Sequence, residues 1–189
     1  MNRDGAAVSN LPSVTQILGD VFGRNRFWTD EGRYEGKLVH AFLALDNRGR
    51  LDLKRLRQQM PDYVGYIEGW RRIRPYFGNV LAVEKEVRTP LYVGHVDTAL
   101  QHLIDDRMVI VDYKRGAVEA SHPLQTAAYA MAYGIPLYRI ARACVYLDPD
   151  PSKCQLVSHD KEQDHDDWNA VLAAWYAVER RKGWKGNEQ

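Results

Sequence analysis

The sequence has little of what marks membrane proteins, disulfide-rich secreted proteins or metal-cluster proteins. It contains two cysteines in 189 residues, Cys144 and Cys154, which is too few for a four-cysteine zinc or iron–sulfur site. No iron–sulfur cluster is therefore expected, and we expect both thiols to be reduced core residues. The sequence also lacks a signal-peptide pattern and any apolar run near the roughly 20 residues that a spanning helix needs. These absences predict a cytoplasmic protein without a membrane partner.

The chain also lacks an excess of charge of either sign, since 26 Lys and Arg oppose 25 Asp and Glu. Between positions 48 and 74, however, eight cationic residues oppose three acids, and aromatic residues are interleaved with them. Such a pattern suits a nucleic-acid backbone and unstacked bases. A solvated helical face whose aromatics pack inward is an equally good alternative. The candidate nucleic-acid contacts in this stretch are Arg71, Arg72 and Arg74.

Several common catalytic motifs are missing as well. The sequence contains no Walker-type glycine loop, no G-x-S-x-G elbow and no internal repeat. Its length suits one domain. We expect residues 1–78 to form a helical part, residues 79–160 a catalytic sheet with a crossover helix, and residues 161–189 a C-terminal helix.

Two neighbouring apolar stretches, Leu91–Leu100 and Arg107–Gly116, each carry a carboxylate where the predicted strand leaves the core. In the second stretch, Asp112 and Lys114 follow a β-branched run and must point the same way, because successive side chains of a strand alternate faces. Asp97 ends the first stretch. Two carboxylates and a lysine on paired strands suit a hard divalent cation and a water molecule. A structural ion pair at a strand end is the alternative.

The remaining pattern predicts helices and two further strands around this hairpin. Val80–Arg88 alternates, with Leu81, Val83 and Val87 on one face and two acids on the other. With the hairpin it makes an antiparallel meander, and a crossover helix makes the next strand parallel to an earlier one. The predicted helices are Val14–Leu18 (capped by Ser13 and ended by Gly19), Gly36–Leu45 (stripe Leu38, Phe42, Leu45), Leu51–Met60, Tyr63–Tyr76, Ser121–Gly134 and Asp164–Lys182. The later strands are Arg139–Leu147 and the edge strand Lys153–His159, and Arg24–Tyr34 is predicted to be a loop.

Four features, in order along residues 36–147, resemble the RecB-type nuclease domains of the PD-(D/E)xK superfamily, a group that includes Cas4-like exonucleases. They are the helical histidine, G-x-x-D, D-x-K-x-G and Q-x-x-x-Y motifs. Each motif is weak alone, but all four in sequence are specific. In this chain they are His40, Gly94-His95-Val96-Asp97, Asp112-Tyr113-Lys114-Arg115-Gly116 and Gln125-Thr126-Ala127-Ala128-Tyr129.

The resemblance implies an α/β fold with a restriction-endonuclease-like αβββαβ core, a mixed central sheet flanked by helices, an N-terminal helical region and a C-terminal helix. It implies one or two Mg²⁺ or Mn²⁺ ions, and Lys114 would position the attacking water and help to deprotonate it. Gln125 and Tyr129 would contact the scissile strand. The implied metal ligands are His40, Asp97, Asp112 and the carbonyl group of Tyr113.

Three further residues enter through the resemblance. Glu84 and Glu86 lie on the strand before Asp97, and either is a candidate for an acid beside the metal ligands. Arg115 stands where the family often carries a small hydroxyl residue, and it is expected to add a phosphate contact.

The implied function is metal-dependent hydrolysis of DNA by a stand-alone exonuclease that acts on single strands or ends. The expected setting is the cytoplasm of a bacterial or phage-infected cell, with a recombination or replication protein as a further candidate partner. Three alternatives stay open. They are a structure-specific endonuclease, a nucleic-acid-binding module that keeps the fold without turnover, and an unrelated fold whose acids and lysine form a buried ion network.

Overall fold

Five strands form one mixed sheet within residues 11–23 and 29–182, the part of the chain that this computed structural model describes. The strands are β1 (Phe77–Arg88), β2 (Val93–His102), β3 (Met108–Arg115), β4 (Ile140–Leu147) and β5 (Gln155–Ser158). Their order in the sheet is β1-β2-β3-β4-β5, and only β3 and β4 pair in parallel. The predicted meander, crossover helix and parallel fourth strand are therefore confirmed.

Helices cover both faces of the sheet. They are α1 (Val14–Phe22), α2 (Asp30–Asn47), α3 (Leu53–Gln59), α4 (Val64–Ile73), α5 (Ser121–Ala132) and α6 (Gln163–Lys182). Helices α1, α5 and α6 share a first core with one face of the sheet, and Trp168 is fully buried there. Helices α2, α3 and α4 share a second core with the other face, around the fully buried Trp70. The predicted α/β class with N-terminal helices and a C-terminal helix is confirmed.

Two helix boundaries differ from the prediction by four residues or more, and the other boundaries differ by three or fewer. Helix α1 has the predicted N-cap, Ser13, but it runs through Gly19 and ends at Gly23, whose φ of 83° favours glycine. Burial of Ile17 and its neighbours outweighs the cost of about 1 kcal/mol for an interior glycine. Helix α2 begins at Asp30, so the loop predicted up to Tyr34 is wrong from there on. The Oγ1 of Thr29 accepts the Gly32 N–H at 3.0 Å and starts the helix. Residues 24–28 of that loop, like residues 1–10 and 183–189, lie outside the described residues.

The buried face of α2 is also not the predicted stripe of Leu38, Phe42 and Leu45. Val39, Leu43 and Ala44 are the buried residues, and Leu45 is 37% exposed. The buried stripe is thus displaced by about one residue from the predicted one, because Val39 and Leu43 pack in the second core while Phe42 is only partly buried against it. This rotation of the helix turns the neighbouring His40 toward the end of β2.

Strand β1 does not alternate as predicted. Leu81 was expected in the core but is 54% exposed. The pairing of β1 with β2 shifts register on both sides of Val80, and each shift moves later side chains to the other face.

The described part of the chain contains no helix that is long and apolar enough to cross a membrane.

Candidate functional site

The candidate site lies where β2 and β3 separate. Their ladder ends at the pair Thr98 and Val111, and the next positions along the two strands are Asp97 and Asp112. Both acids are buried, with 8% and 3% of their surface exposed. Buried carboxylates need hydrogen bonds or cations, because an unpaired buried charge is costly.

Asp97 is held from two directions. Its Oδ2 accepts the backbone N–H of Tyr113 at 2.7 Å, across the gap between the strands. Its Oδ1 lies 3.2 Å from Nδ1 of His40, which α2 brings to the sheet. The rotated helix therefore places an imidazole beside the acid that ends the G-x-x-D motif.

Glu84 completes a cluster with these two residues. Glu84 lies between the β1–β2 pairs Val83–Thr98 and Lys85–Val96, and so opposite Asp97. Its φ of 53° is uncommon for a residue other than glycine. One ligand atom each from His40, Glu84 and Asp97 lies within 4.8 Å of the other two, a spacing that could hold a metal ion. Backbone strain of this kind often accompanies functional sites. The sequence marked Glu84 only as one of two alternating acids, and no local signal distinguishes it from Glu86.

A second group adjoins the first on β3 and α5. The Nζ of Lys114 donates to Asp112 Oδ2 at 2.7 Å and to Gln125 Oε1 at 2.7 Å. The Nε2 of Gln125 donates to the Tyr129 hydroxyl at 2.7 Å and lies 3.3 Å from Asp112 Oδ1. The structure thus brings D-x-K and Q-x-x-x-Y into one network. Asp112 faces this network rather than the three-residue cluster, so its role as a metal ligand stays a prediction, as does that of the Tyr113 carbonyl.

The electrostatics of the site favour a cation. Burial and the charge of Asp97 both raise the pKa of Glu84. Burial also raises the pKa of Asp112, and Asp97 adds to this effect against the opposing charges of Lys114 and His40. Burial lowers the pKa of Lys114, but Asp112 outweighs it and the pKa rises, so the ammonium stays charged. Two acids that are each repelled by Asp97, beside an imidazole, fit a divalent ion with oxygen and nitrogen ligands.

The other predicted contacts lie apart from this cluster. Glu86 is on the same strand but pairs with Arg88 at 3.2 Å and lies 3.8 Å from His95. The four arginines each bond within the fold, so their contact with nucleic acid stays a prediction. Arg71 binds Asp46, Arg72 binds the Pro151 carbonyl, Arg74 binds the Phe77 carbonyl, and Arg115 binds Glu35 and the Gly32 carbonyl.

Sequence reasoning missed two residues at the site. Asn47, the last residue of α2, hydrogen-bonds to Trp70 and to Thr98 and Tyr113, the residues that follow the two acids. Cys144 lies beside Asp112 in the β3–β4 register, with its Sγ 4.0 Å from Asp112 Oδ2. Neither residue belongs to a recognisable motif, and both reach the site through long-range packing.

A close contact in the structure explains why the first residue of the G-x-x-D motif is glycine. A Cβ atom on Gly94 would lie 2.6 Å from Cε1 and 2.7 Å from Cδ1 of Tyr129. The Tyr129 ring is 3% exposed and its hydroxyl is held by Gln125, so it has little room to move. The G-x-x-D motif of β2 and the Q-x-x-x-Y motif of α5 therefore meet in one close contact.

We expect Gly94→Ala to destabilise the protein by about 1–3 kcal/mol, the usual cost of overpacking a buried contact. Urea unfolding measures this loss. Gly36→Ala is the matched control, because a Cβ at Gly36 meets nothing within 4 Å, and alanine in a helix gains about 0.5–1 kcal/mol over glycine. Equal stability of Gly94→Ala and the wild type would contradict the close contact.

His40 predicts a pH dependence for metal binding. Burial lowers the pKa of His40, but the charges of Asp97 and Asp112 outweigh it and raise the pKa to about 9. A protonated imidazole cannot bind a metal, so Mn²⁺ affinity should rise with pH up to about 9, by up to about tenfold per pH unit. Without metal, the folded-state pKa exceeds the unfolded value, so the stability that His40 contributes is complete below about pH 6.5 and is lost as pH rises through about 9.

Calorimetric Mn²⁺ titrations at pH 7, 8 and 9 test this expectation. His40→Gln should bind more weakly and with a shallower pH dependence. An unchanged pH dependence in His40→Gln would show that another group controls the protonation step.

Comparisons with known proteins agree with the motifs. The sequence profile described as the PD-(D/E)XK nuclease superfamily matches residues 25–184, most of the chain. No curated protein matches. Among solved structures, the one titled "Crystal structure of SSO0001" aligns at 12% sequence identity with a TM-score of 0.38, covering 74% of this chain and 71% of that chain. That similarity is too low to carry over any property.

Proposed function

Because the chain belongs to the PD-(D/E)XK nuclease superfamily, we propose that it is a divalent-metal-dependent deoxyribonuclease of the RecB type, a stand-alone exonuclease acting on single strands or ends. The observation that carries the proposal is the convergence of His40, Glu84 and Asp97 next to the network of Asp112 and Lys114. Family membership indicates a metal-dependent nuclease, and the family match removes the alternative of an unrelated fold.

Phosphodiester hydrolysis needs positive charge on the phosphoryl oxygens and an activated water. A bound Mg²⁺ or Mn²⁺ ion would neutralise the phosphate and make a bound water more acidic. The proposed ligands are His40, Glu84 and Asp97, and Asp112 and the Tyr113 carbonyl would be further ligands. Two or more carboxylates suit either ion, and the imidazole favours Mn²⁺.

The chain's own residues would orient the reacting groups. The Lys114 ammonium, held by Asp112 and Gln125, would position the attacking water and stabilise the negative charge that develops on its oxygen. Gln125 and Tyr129 would contact the scissile strand from α5. Because Gln125 already bonds to both Lys114 and Tyr129, binding of the strand would align the lysine at the same time.

Cleavage assays with end-labelled linear and circular single-stranded DNA, duplex DNA and RNA test the proposal. We expect single-nucleotide or short products from linear single strands with Mg²⁺ or Mn²⁺, and none with EDTA. Cleavage that survives EDTA would overturn the metal-dependent mechanism. Cleavage of circular single strands would replace the exonuclease with an endonuclease, and salt-sensitive DNA binding without cleavage would indicate a module without turnover.

A further inference from the structure

The side-chain amide of Asn47 uses both of its hydrogens and its carbonyl oxygen in one cluster of buried groups. Its Nδ2 donates to the Thr98 hydroxyl and to the Tyr113 hydroxyl, each at 2.9 Å. Its Oδ1 accepts the indole N–H of Trp70 at 3.0 Å. Thr98 and Trp70 are fully buried and Tyr113 is 2% exposed. All these distances are those of good hydrogen bonds.

The two hydroxyl groups that accept the amide hydrogens belong to the residues that directly follow the two acids in the sequence. Thr98 follows Asp97 on β2, and Tyr113 follows Asp112 on β3. The backbone N–H of Tyr113 in turn holds Asp97 Oδ2 at 2.7 Å. A single amide from α2 therefore joins the strand that carries one acid to the strand that carries the other.

The sheet itself does not fix the separation of these acids. The β2–β3 ladder ends at Thr98 and Val111, one position short of Asp97 and Asp112. The regular alternation of β2 is also broken there, since Val96 and Ala99 both belong to the first core although they are three residues apart. Where ladder bonds stop, side-chain bonds must set the distance between strands.

We propose that Asn47 is a positioning residue of the metal site, which sets the spacing of β2 and β3 beyond their last ladder pair and so the spacing of Asp97 and Asp112. This inference rests on the proposed function, because the spacing of the two acids affects activity only if both take part in metal binding. Outer partners of metal sites commonly change metal affinity by 10–100-fold when they are removed.

The test is the affinity of the purified full chain for Mn²⁺, without nucleic acid, by calorimetry. Asn47→Leu keeps the size of the side chain and removes all three bonds, and we expect Mn²⁺ to bind about tenfold more weakly. Asn47→Asp keeps the three partners, because the Thr98 and Tyr113 hydroxyl groups can turn to donate, and its affinity should stay close to that of the wild type or exceed it. Tyr113→Phe removes one of the three bonds, together with the weaker bond of 3.3 Å from the Tyr113 hydroxyl to Thr98 Oγ1, and should weaken binding less than Asn47→Leu does.

Stability must be separated from positioning, since Asn47→Leu leaves the buried Trp70 N–H without an acceptor. Leu172→Ala in α6 is the matched control, because Leu172 packs in the first core, on the other face of the sheet from Asn47. It should lower the melting temperature without changing the Mn²⁺ Kd. If Asn47→Leu behaves like Leu172→Ala, the role of Asn47 is structural and the inference is overturned. Should Asn47→Leu not fold, Tyr113→Phe decides by the same criterion.

Catalysis gives a second readout. With saturating Mn²⁺, Asn47→Leu should lower kcat more than it raises KM if it displaces an acid of the site. A variant that is only less stable has the wild-type kcat and KM once the values are corrected for the fraction of folded protein. If the wild type itself binds no Mn²⁺, the proposed function fails and this inference fails with it. If the wild type binds Mn²⁺ and Asn47→Leu binds it equally well, only the inference fails.

Discussion

Lys114→Ala should reduce the rate of DNA cleavage by about 10²–10³-fold, the range expected when one group that stabilises a developing negative charge is removed. The physical reason is the position of the ammonium, which lies 2.7 Å from both Asp112 Oδ2 and Gln125 Oε1. Asp112 is the first residue of β3 beyond its last ladder pair with β2. Single-turnover cleavage with saturating Mn²⁺ measures the effect on chemistry apart from binding.

Lys153→Ala is the control for this substitution, because Lys153 is 67% exposed and lies 3.8 Å from a local partner, Asp150. It should cleave like the wild type. Mn²⁺ binding by Lys114→Ala should be kept or strengthened, because the substitution frees Asp112 from its ion pair. A Lys114→Ala protein that cleaves at the wild-type rate would remove lysine from the mechanism.

Asp97→Asn should abolish the stabilisation of the protein by metal. Asp97 contacts His40 and the Tyr113 N–H and belongs to the cluster with Glu84, so we expect an ion in that cluster to need its charge. A ligand present at 100 times its Kd stabilises the folded state by about 2.7 kcal/mol. We expect Mn²⁺ to raise the melting temperature of the wild type and not that of Asp97→Asn.

The control is Asp167→Asn, on the exposed face of α6, which should respond to Mn²⁺ as the wild type does. Cleavage should fall together with the metal response in Asp97→Asn. A normal Mn²⁺ shift in Asp97→Asn would show that the ion binds elsewhere. Loss of cleavage with a normal shift would instead assign Asp97 to contact with the substrate.

The acid and lysine on β3 illustrate what local pattern can predict. The β-branched run before Asp112 indicated a buried strand, and strand alternation placed Asp112 and Lys114 on one face. The structure shows that face meeting Gln125 from α5. The four-residue spacing of Gln125 and Tyr129 likewise predicted a shared helical face, and the two side chains are hydrogen-bonded at 2.7 Å.

The acids of β1 illustrate where local pattern stops. Glu84 and Glu86 alternate in sequence and are equal candidates by spacing. Irregular pairing with β2 and the positive φ at Glu84 bring that residue to His40 and Asp97, while Glu86 pairs with Arg88. A β-bulge or a single unusual φ depends on how two strands fit together, so neither glutamate could be preferred from sequence.

The amino-acid sequence by itself determined the α/β class, the order of strands and helices, the family and the set of motif residues. It could do so because strand and helix periodicities are local and because motifs keep their order along the chain. The tertiary structure decided the rotation of α2 that turns His40 inward, the choice of Glu84, and the amide of Asn47 between the two acid-bearing strands. These features depend on contacts between residues 51 to 66 positions apart in some cases, and only the packing of helices on the sheet sets such distances.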